Sequence, residues 1–459
     1  MRTCKLLIAA LPALLSACTA MSSRPDFVTY VPHRLDGSDG TNQHFLVTPT
    51  PAGSFLAFWT QATHENDPNQ HVAMSRSVDE GRTWSKPATI AGDTSGKTGR
   101  IASWQFPVIS PKTQRIYLFY NQNVGIVDAR EDTTGALMCR WSGNDGLTWS
   151  QPFELPIRKS ALSNPEPGSP ENWVVYQQPI ITSKGEVIVG FTRWASKKVQ
   201  KEGNLFERDS EVWFLRFDNI LTEPDPTKLT VTTLPDGDHG LRVRCPEDKK
   251  AKASKKPKLT WWPLFGKKPK KETSPAEKKE ISIAQEPTIQ ELSDGRFITI
   301  MRTRTGFIYY ALSADRGHTW DTPRPLRYKP GGDPIRQPLA PCPLYKLHDG
   351  RFALIFHNND GTANGGRGPT DSKRVRRPVW IAMGRETNNA DHPLEFRQPH
   401  VLADNDRRPI GPSGHTQIGT YPSLFEHDGK IYFWYPDRKH FLLGKIIPPR
   451  LLGNTFELK

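Results

Sequence analysis

Apolar residues in this chain fall into short runs paired across a turn, and the pairing recurs. Six segments share the layout: residues 43–61 (QHFLVTPTPAGSFLAFWTQ), 104–123 (WQFPVISPKTQRIYLFYNQN), 176–194 (YQQPIITSKGEVIVGFTRW), 285–304 (QEPTIQELSDGRFITIMRTR), 340–359 (APCPLYKLHDGRFALIFHNN) and 419–438 (GTYPSLFEHDGKIYFWYPDR). Each reads as an apolar strand, a turn and a second apolar strand, the turn carrying Gly in five and Lys112-Thr113-Gln114 in the second. Five align on a proline: Pro107, Pro179, Pro287, Pro343 and Pro422. A fixed hairpin repeated along a chain marks a repeat architecture. Strands apolar on both faces fit a radial stack in which each blade is covered on both sides. The expected fold is all-β, a six-bladed β-propeller with one hairpin at the heart of each blade.

A second repeat lies between the hairpins. Ser77-Val78-Asp79-Glu80-Gly81-Arg82-Thr83-Trp84 and Ser313-Ala314-Asp315-Arg316-Gly317-His318-Thr319-Trp320 both fit S-x-D-x-G-x-T-W. Residues 142–149 (SGNDGLTW) fit with Asn144 in place of Asp. In such an Asp-box turn the Ser and Asp side chains cap backbone groups, the Gly takes positive φ and the Trp plugs between strands. That role is structural. Together the hairpins and the Asp-boxes resemble the sialidase (neuraminidase) superfamily over residues 31–447, the insert described below excepted.

Composition agrees with many short strands and turns: 41 Pro, 35 Gly and 13 Trp in 459 residues, with no long stretch at helical apolar spacing. The net charge of +14 is concentrated, since residues 246–280 hold twelve Lys against five acids. A nucleic-acid partner is therefore not implied; this Lys- and Pro-rich insert reads as a solvated loop. Its Trp261-Trp262-Pro263-Leu264-Phe265 core among lysines adds the expectation of contact with an anionic surface.

The N-terminus reads as a targeting segment. Arg2 and Lys5 precede a short apolar run, and Leu15-Ser16-Ala17-Cys18 resembles the bacterial lipoprotein box. The expected organisation is a lipoprotein signal peptide at 1–18, a tether at 19–30, the propeller at 31–447 interrupted by 246–280, and a tail at 448–459. Cys18 would carry the lipid, anchoring an exported protein at the cell envelope. Cys139, Cys245 and Cys342 are widely separated, lack metal spacing and read as buried thiols.

The strand starts of a propeller converge on its central channel. The fourth hairpin presents Glu286 there and ends in Arg302, the sixth presents Tyr421, and the first presents His44 and leads to Asp67. The fifth is followed by Arg377 before an apolar run, with Arg374 and Arg376 as competitors for its place. Arg438 and His440 follow the last hairpin as further pocket candidates. Guanidinium forks bind carboxylates in pairs, so Arg302 and Arg377 suit a substrate bearing a carboxylate. Sialic acid carries one on its anomeric carbon, where it would repel a carboxylate nucleophile. A tyrosine avoids the repulsion, but a phenol with pKa of about 10 needs a base. Glu286 is that base and Asp67 the candidate proton donor.

The resemblance implies the same roles. A Glu-Pro strand followed by Arg looks like Glu286 and Arg302, an Arg before an apolar strand like Arg377, a Tyr opening the last hairpin like Tyr421, and an Asp shortly before the first Asp-box like Asp67. One position departs: where sialidases carry a third arginine, this chain has His44. The implied activity is an exo-α-sialidase that releases sialic acid from glycoconjugates with retention, through Tyr421. No metal-ligand spacing or phosphate-binding glycine loop is present, and no organic cofactor is implied. Two other readings stand beside it: a non-catalytic glycan-binding propeller, and a glycosidase or lyase for another acidic sugar.

Overall fold

The computed structural model describes residues 24–245 and 281–453. Cys18 and the insert at 246–280 lie outside the described residues. The described residues on either side of it are neighbours, since Arg244–Cys245 pairs antiparallel with Ile281–Ser282.

Nearly all regular structure is antiparallel β; the two α-helices among the described residues, Ser372–Val375 and Pro449–Leu452, have four residues each. The strands form a propeller, but the expected number of separate blades is corrected. Four separate four- or five-stranded blades are present, not six. One runs Thr41–Pro49, Phe55–Ala62, His71–Ser77, Ala88–Gly92. A second runs Ala284–Glu291, Phe297–Thr303, Tyr309–Ser313, Arg324–Pro325. A third is built on Leu344–Lys346, Phe352–Phe356 and Val379–Glu386, and a fourth on Ser423–His427, Lys430–Asp437 and Phe441–Ile446. The hairpins near 104–123 and 176–194 do not make blades of their own. Their strands join in one nine-stranded sheet, because Glu171–Val174 pairs through Glu171 and Asn172 with Gly135 and Thr134, and through Trp173 and Val174 with Arg193 and Thr192. Backbone groups freed at the end of one meander are taken up by the next, which the hairpin pattern alone does not reveal.

The ring is closed by the chain's two ends. Phe27–Tyr30, within the stretch read as a tether, pairs with Phe441–Ile446 and completes the last blade. Between that blade and the first lies a core of Phe45, Phe55, Trp59, Tyr432 and Trp434, all buried. Phe55–Ala62 is buried at all eight positions, as expected of a strand covered on both faces. At roughly 25 cal/mol per Å² of apolar surface removed from water, such aromatic interfaces supply the main force holding blades together.

The Asp-boxes have the anticipated structural role. The Ser77 hydroxyl accepts the Gly81 N–H at 2.8 Å, Asp79 accepts the Thr83 N–H at 2.8 Å, and Trp84 Nε1 donates to the Gly81 carbonyl at 3.0 Å. The Ser142 and Ser313 turns repeat these bonds. Cys139, Cys245 and Cys342 are free and buried, as expected.

One local feature recurs at the starts of inner strands. Register slips between Gln43 and Leu46, Ser103 and Phe106, and Gln285 and Thr288. Each slip is a β-bulge, and its first extra residue lies at positive φ: His44 at 54°, Trp104 at 57°, Glu286 at 51°. Tyr421, just ahead of Ser423–His427, shares the conformation at 61°. The proline alignment is corrected here. Pro287 lies within its bulge, whereas Pro107 pairs normally with Leu118 and the equivalent bulge position is Gln105.

Candidate functional site

A bulge takes a side chain out of the alternation of its strand and re-aims it. Glu286 and Tyr421 are re-aimed at each other: the Tyr421 hydroxyl donates to Glu286 Oε1 at 3.0 Å. Arg302, delivered by the strand paired with that of Glu286, places Nη1 2.7 Å from the same oxygen. Its other nitrogens donate to Gln285 Oε1, Nη2 at 2.8 Å. The Glu286 backbone is anchored in turn, its N–H donating to Thr192 Oγ1 at 2.7 Å.

Burial dominates the electrostatics of this trio. It raises the Glu286 carboxyl above its ordinary value despite Arg302 and Arg376. It also pushes the Tyr421 phenol up to about 12, with the Glu286 charge adding to the shift. Both changes favour the proton's staying on its oxygen. The pair is therefore a protonated phenol beside a carboxylate made more basic than usual, the arrangement proton transfer from tyrosine requires.

Tyr421 and Arg302 form part of the wall of a cavity of about 400 Å³. Three further cations line it, Arg130, Arg376 and Lys439, against a single carboxylate, Glu65. Such a balance selects an anion. Arg376 donates through Nη2 to the Leu339 carbonyl at 2.7 Å, which fixes its head in place. Glu65 is bonded to Lys439 Nζ and lies 3.2 Å from Arg130 Nη2. Burial alone would raise the Glu65 carboxyl, but Lys439 and Arg130 outweigh it and hold it well below the usual carboxylate range. An aromatic wall completes the cavity: Tyr176 stacks on Tyr421 with ring centroids 4.3 Å apart, and Trp194 and Phe206 stand nearby.

The sequence-predicted residues divide cleanly. Tyr421, Glu286 and Arg302 come together. Asp67 does not join them; its carboxylate caps a turn by accepting the His64 N–H at 3.0 Å, and Glu65 takes the cavity position. Arg377 turns away to bind Asp404 at 2.5 Å, and its neighbour Arg376 faces the cavity. His44 is fully buried behind the tyrosines, edge-on to Tyr176 at 5.7 Å and to Tyr421 at 6.5 Å. Burial lowers its pKa to about 3, so the ring is neutral and cannot stand in for an arginine's charge. Arg438 is tied to Asp437 at 2.6 Å and His440 to the Gly40 carbonyl at 2.6 Å; Lys439 between them is the residue that lines the cavity.

Arg130, Tyr176 and Lys439 were not anticipated. Tyr176 opens the third hairpin at the place where Tyr421 opens the last, a usable signal. Arg130 lies in a loop between strands with no motif around it.

A family model for the BNR repeat-like domain matches residues 53–433. The chain belongs to the BNR repeat-like domain family. Among solved structures, this BNR repeat-like chain is similar to the Hadza microbial sialidase Hz136, with 15% identity and a TM-score of 0.56 over 90% of this chain and 66% of that one. It is also similar to the intramolecular trans-sialidase from Ruminococcus gnavus in complex with oseltamivir carboxylate, at 15% identity and TM-score 0.55, covering 93% and 98%. A third is the Trypanosoma rangeli sialidase with 2,3-difluorosialic acid, described as a covalent intermediate, at 13% identity and TM-score 0.52, covering 90% and 55%. At these identities the likeness is one of fold.

Proposed function

We propose that this protein is an exo-acting, retaining glycosidase for terminal sugars with a carboxylate on the anomeric carbon, sialic acid foremost. The observation that carries the reading is the contact of Glu286 with Tyr421 and Arg302, two residues in the wall of a cationic cavity. In the first step Tyr421 Oη attacks the anomeric carbon and the bond to the leaving oxygen breaks. The phenolic proton passes to Glu286 Oε1. In the second step water attacks the anomeric carbon and gives a proton to the carboxylate that Glu65 became on protonating the leaving oxygen, the bond to Tyr421 Oη breaks, Glu286 returns its proton to the phenolate, and the sugar leaves with its original configuration. Arg302 and Arg376 hold the substrate carboxylate. The Trypanosoma rangeli relative, described as a covalent intermediate with a fluorinated sialic acid, supports a covalent route by analogy.

Glu65 replaces Asp67 as proton donor to the leaving oxygen. Lys439 and Arg130 keep it ionised. A substrate carboxylate held by Arg302 and Arg376 brings a second negative charge into the cavity that Glu65 lines, and like charge raises the proton affinity of Glu65.

The test is turnover of a fluorogenic aryl sialoside by the wild type, Tyr421→Phe and Glu286→Gln, with trapping by 2,3-difluorosialic acid. Both variants lose activity by about a hundredfold or more, and the trapped mass maps to Tyr421. Wild-type rates in Tyr421→Phe, or an unsaturated ultraviolet-absorbing product, overturn the proposal. The missing third arginine at His44 favours one second reading, an acidic sugar other than sialic acid, which the same assay resolves by product analysis. Lipid anchoring through Cys18 also belongs to the proposal; Cys18→Ala abolishes radiolabelling by palmitate, and labelling that survives in the variant overturns it.

A further inference from the structure

Beside the cavity lies a second recess of about 370 Å³, lined by Lys373, Arg374, Arg377, Arg407, Asn364 and Thr416 among others. The two spaces share a wall one chain thick. Ser372 and Arg376 face the cavity while Lys373, Arg374 and Arg377 face the recess. On the other side of the wall His415 and Gln417 face the cavity while Gly414 and Thr416 face the recess. A hydrogen bond from Thr416 Oγ1 to the Lys373 carbonyl, at 2.6 Å, joins the two halves.

The charge of the recess is positive after its internal pairs are counted. Arg374 is met by Asp371 at 2.8 Å and Arg377 by Asp404 at 2.5 Å. Lys373 and Arg407 have no ion pair among the described residues. Arg377 is the anchored member: its side chain is 2% exposed, it takes a second contact from Asn364 Oδ1 at 3.3 Å, and its Nε has no hydrogen-bond partner. A buried guanidinium N–H without an acceptor is costly. Lys373 and Arg407, unpaired among the described residues, offer their charge to an anion in the recess.

We infer that the recess binds an anionic sugar unit, carboxylated or sulfated, linked to the sugar held in the cavity. This rests on the glycosidase reading of the cavity and deepens it, since it sets the substrate class: glycans whose penultimate unit is itself acidic. The cavity takes the terminal unit, the linkage passes over the rim of the shared wall, and Lys373, Arg377 and Arg407 surround the second anion.

The experiment compares kcat/KM for a sialic acid dimer, whose second unit carries a carboxylate, with that for sialyllactose, whose second unit is neutral. The wild type prefers the dimer by about tenfold in low salt, and the preference shrinks as ionic strength rises. Lys373→Gln with Arg407→Gln, both at exposed positions, removes the preference while thermal unfolding stays unchanged. Absence of the preference, or its survival in the double variant, overturns the inference. A second arm needs no turnover: calorimetric binding of a sulfated disaccharide to Tyr421→Phe protein weakens about tenfold in the double variant. If neither sugar is hydrolysed yet that weakening occurs, the glycosidase reading fails and the recess stands. If sialyllactose is hydrolysed and the double variant binds the disaccharide as well as its parent, the recess alone falls.

Discussion

Glu286 and Tyr421 occupy corresponding points of two different blades, each the left-handed residue just ahead of a proline, and they meet with a 3.0 Å hydrogen bond. Positive φ costs a non-glycine residue about 1–2 kcal/mol. The fold bears that cost twice, at positions whose side chains leave the strand alternation and enter the centre. His44 and Trp104 bear it too, and their rings pack behind Tyr176 and Tyr421. The same local device thus supplies two reacting groups and part of their support.

The pH dependence of kcat/KM follows from Glu286. As base it acts only when ionised, so activity rises with pH through its pKa. Burial has raised that pKa, so the acid limb falls above the ordinary glutamate value of about 4.3. Its effect on stability has the opposite sign. A carboxyl whose folded pKa is raised contributes stability fully present below the unfolded value and lost as pH climbs through the folded one. Glu286→Gln therefore loses the acid limb and at least about a hundredfold in kcat, while its stability changes less than the wild type's as pH climbs above the ordinary glutamate value of about 4.3. An acid limb at or below pH 4, or one persisting in the variant, contradicts the assignment.

Much of this was readable beforehand because it is local. A hairpin, a turn glycine and an Asp-box are each encoded within a few residues, and Glu286, Arg302 and Tyr421 are fixed by hairpin register. What escaped depends on events outside the repeat. The merging of two meanders turns on Glu171–Val174, a strand with no hairpin of its own. Arg376 against Arg377, and Glu65 against Asp67, are choices between neighbours in irregular loops, where no period dictates which side chain faces inward. In both cases the residue rejected is held by a local partner, Asp404 for Arg377 and the His64 N–H for Asp67.

Arg376 is predicted to act in binding. Lysine keeps the charge but loses the fork that grips a carboxylate through two bonds. Arg376→Lys should raise KM for an aryl sialoside about ten- to a hundredfold, with kcat changed far less. A fall in kcat at constant KM would place the residue in the chemical step.

Glu65 and Asp67 are separated by leaving group. An aryl oxygen departs without help, whereas a sugar hydroxyl needs a proton. Glu65→Gln should lower kcat/KM for sialyllactose by about a hundredfold or more and that for an aryl sialoside by less than about tenfold. Asp67→Asn should leave both within about threefold, because its carboxylate serves a turn. Equal loss on the two substrates in Glu65→Gln would reduce that residue to a positioning role for Arg130 and Lys439. A selective loss in Asp67→Asn would return the donor's role to Asp67.

Two glycines test whether the Asp-box is a packed plug or only a turn. Gly53 and Gly81 have the same φ of 84°, so an alanine at either meets the same backbone strain, about 1–2 kcal/mol. Their surroundings differ. A Cβ at Gly53 meets nothing within 4 Å, whereas at Gly81 it lies 2.4 Å from Trp434 Cη2. Trp434 is wholly buried in the interface between the first and last blades, 5.5 Å from the Trp84 ring, and has no room to withdraw. Gly81→Ala should therefore cost about 1–3 kcal/mol more than Gly53→Ala in urea unfolding. Specific activity of the folded protein should be unchanged in both, since neither glycine lines the cavity. Adding Trp434→Phe to Gly81→Ala removes the ring atoms that clash, so the pair should be less destabilised than the sum of the single changes. Equal costs for the two glycine variants, or strict additivity with Trp434→Phe, would mean that the first Asp-box does not bear on the seam that closes the ring.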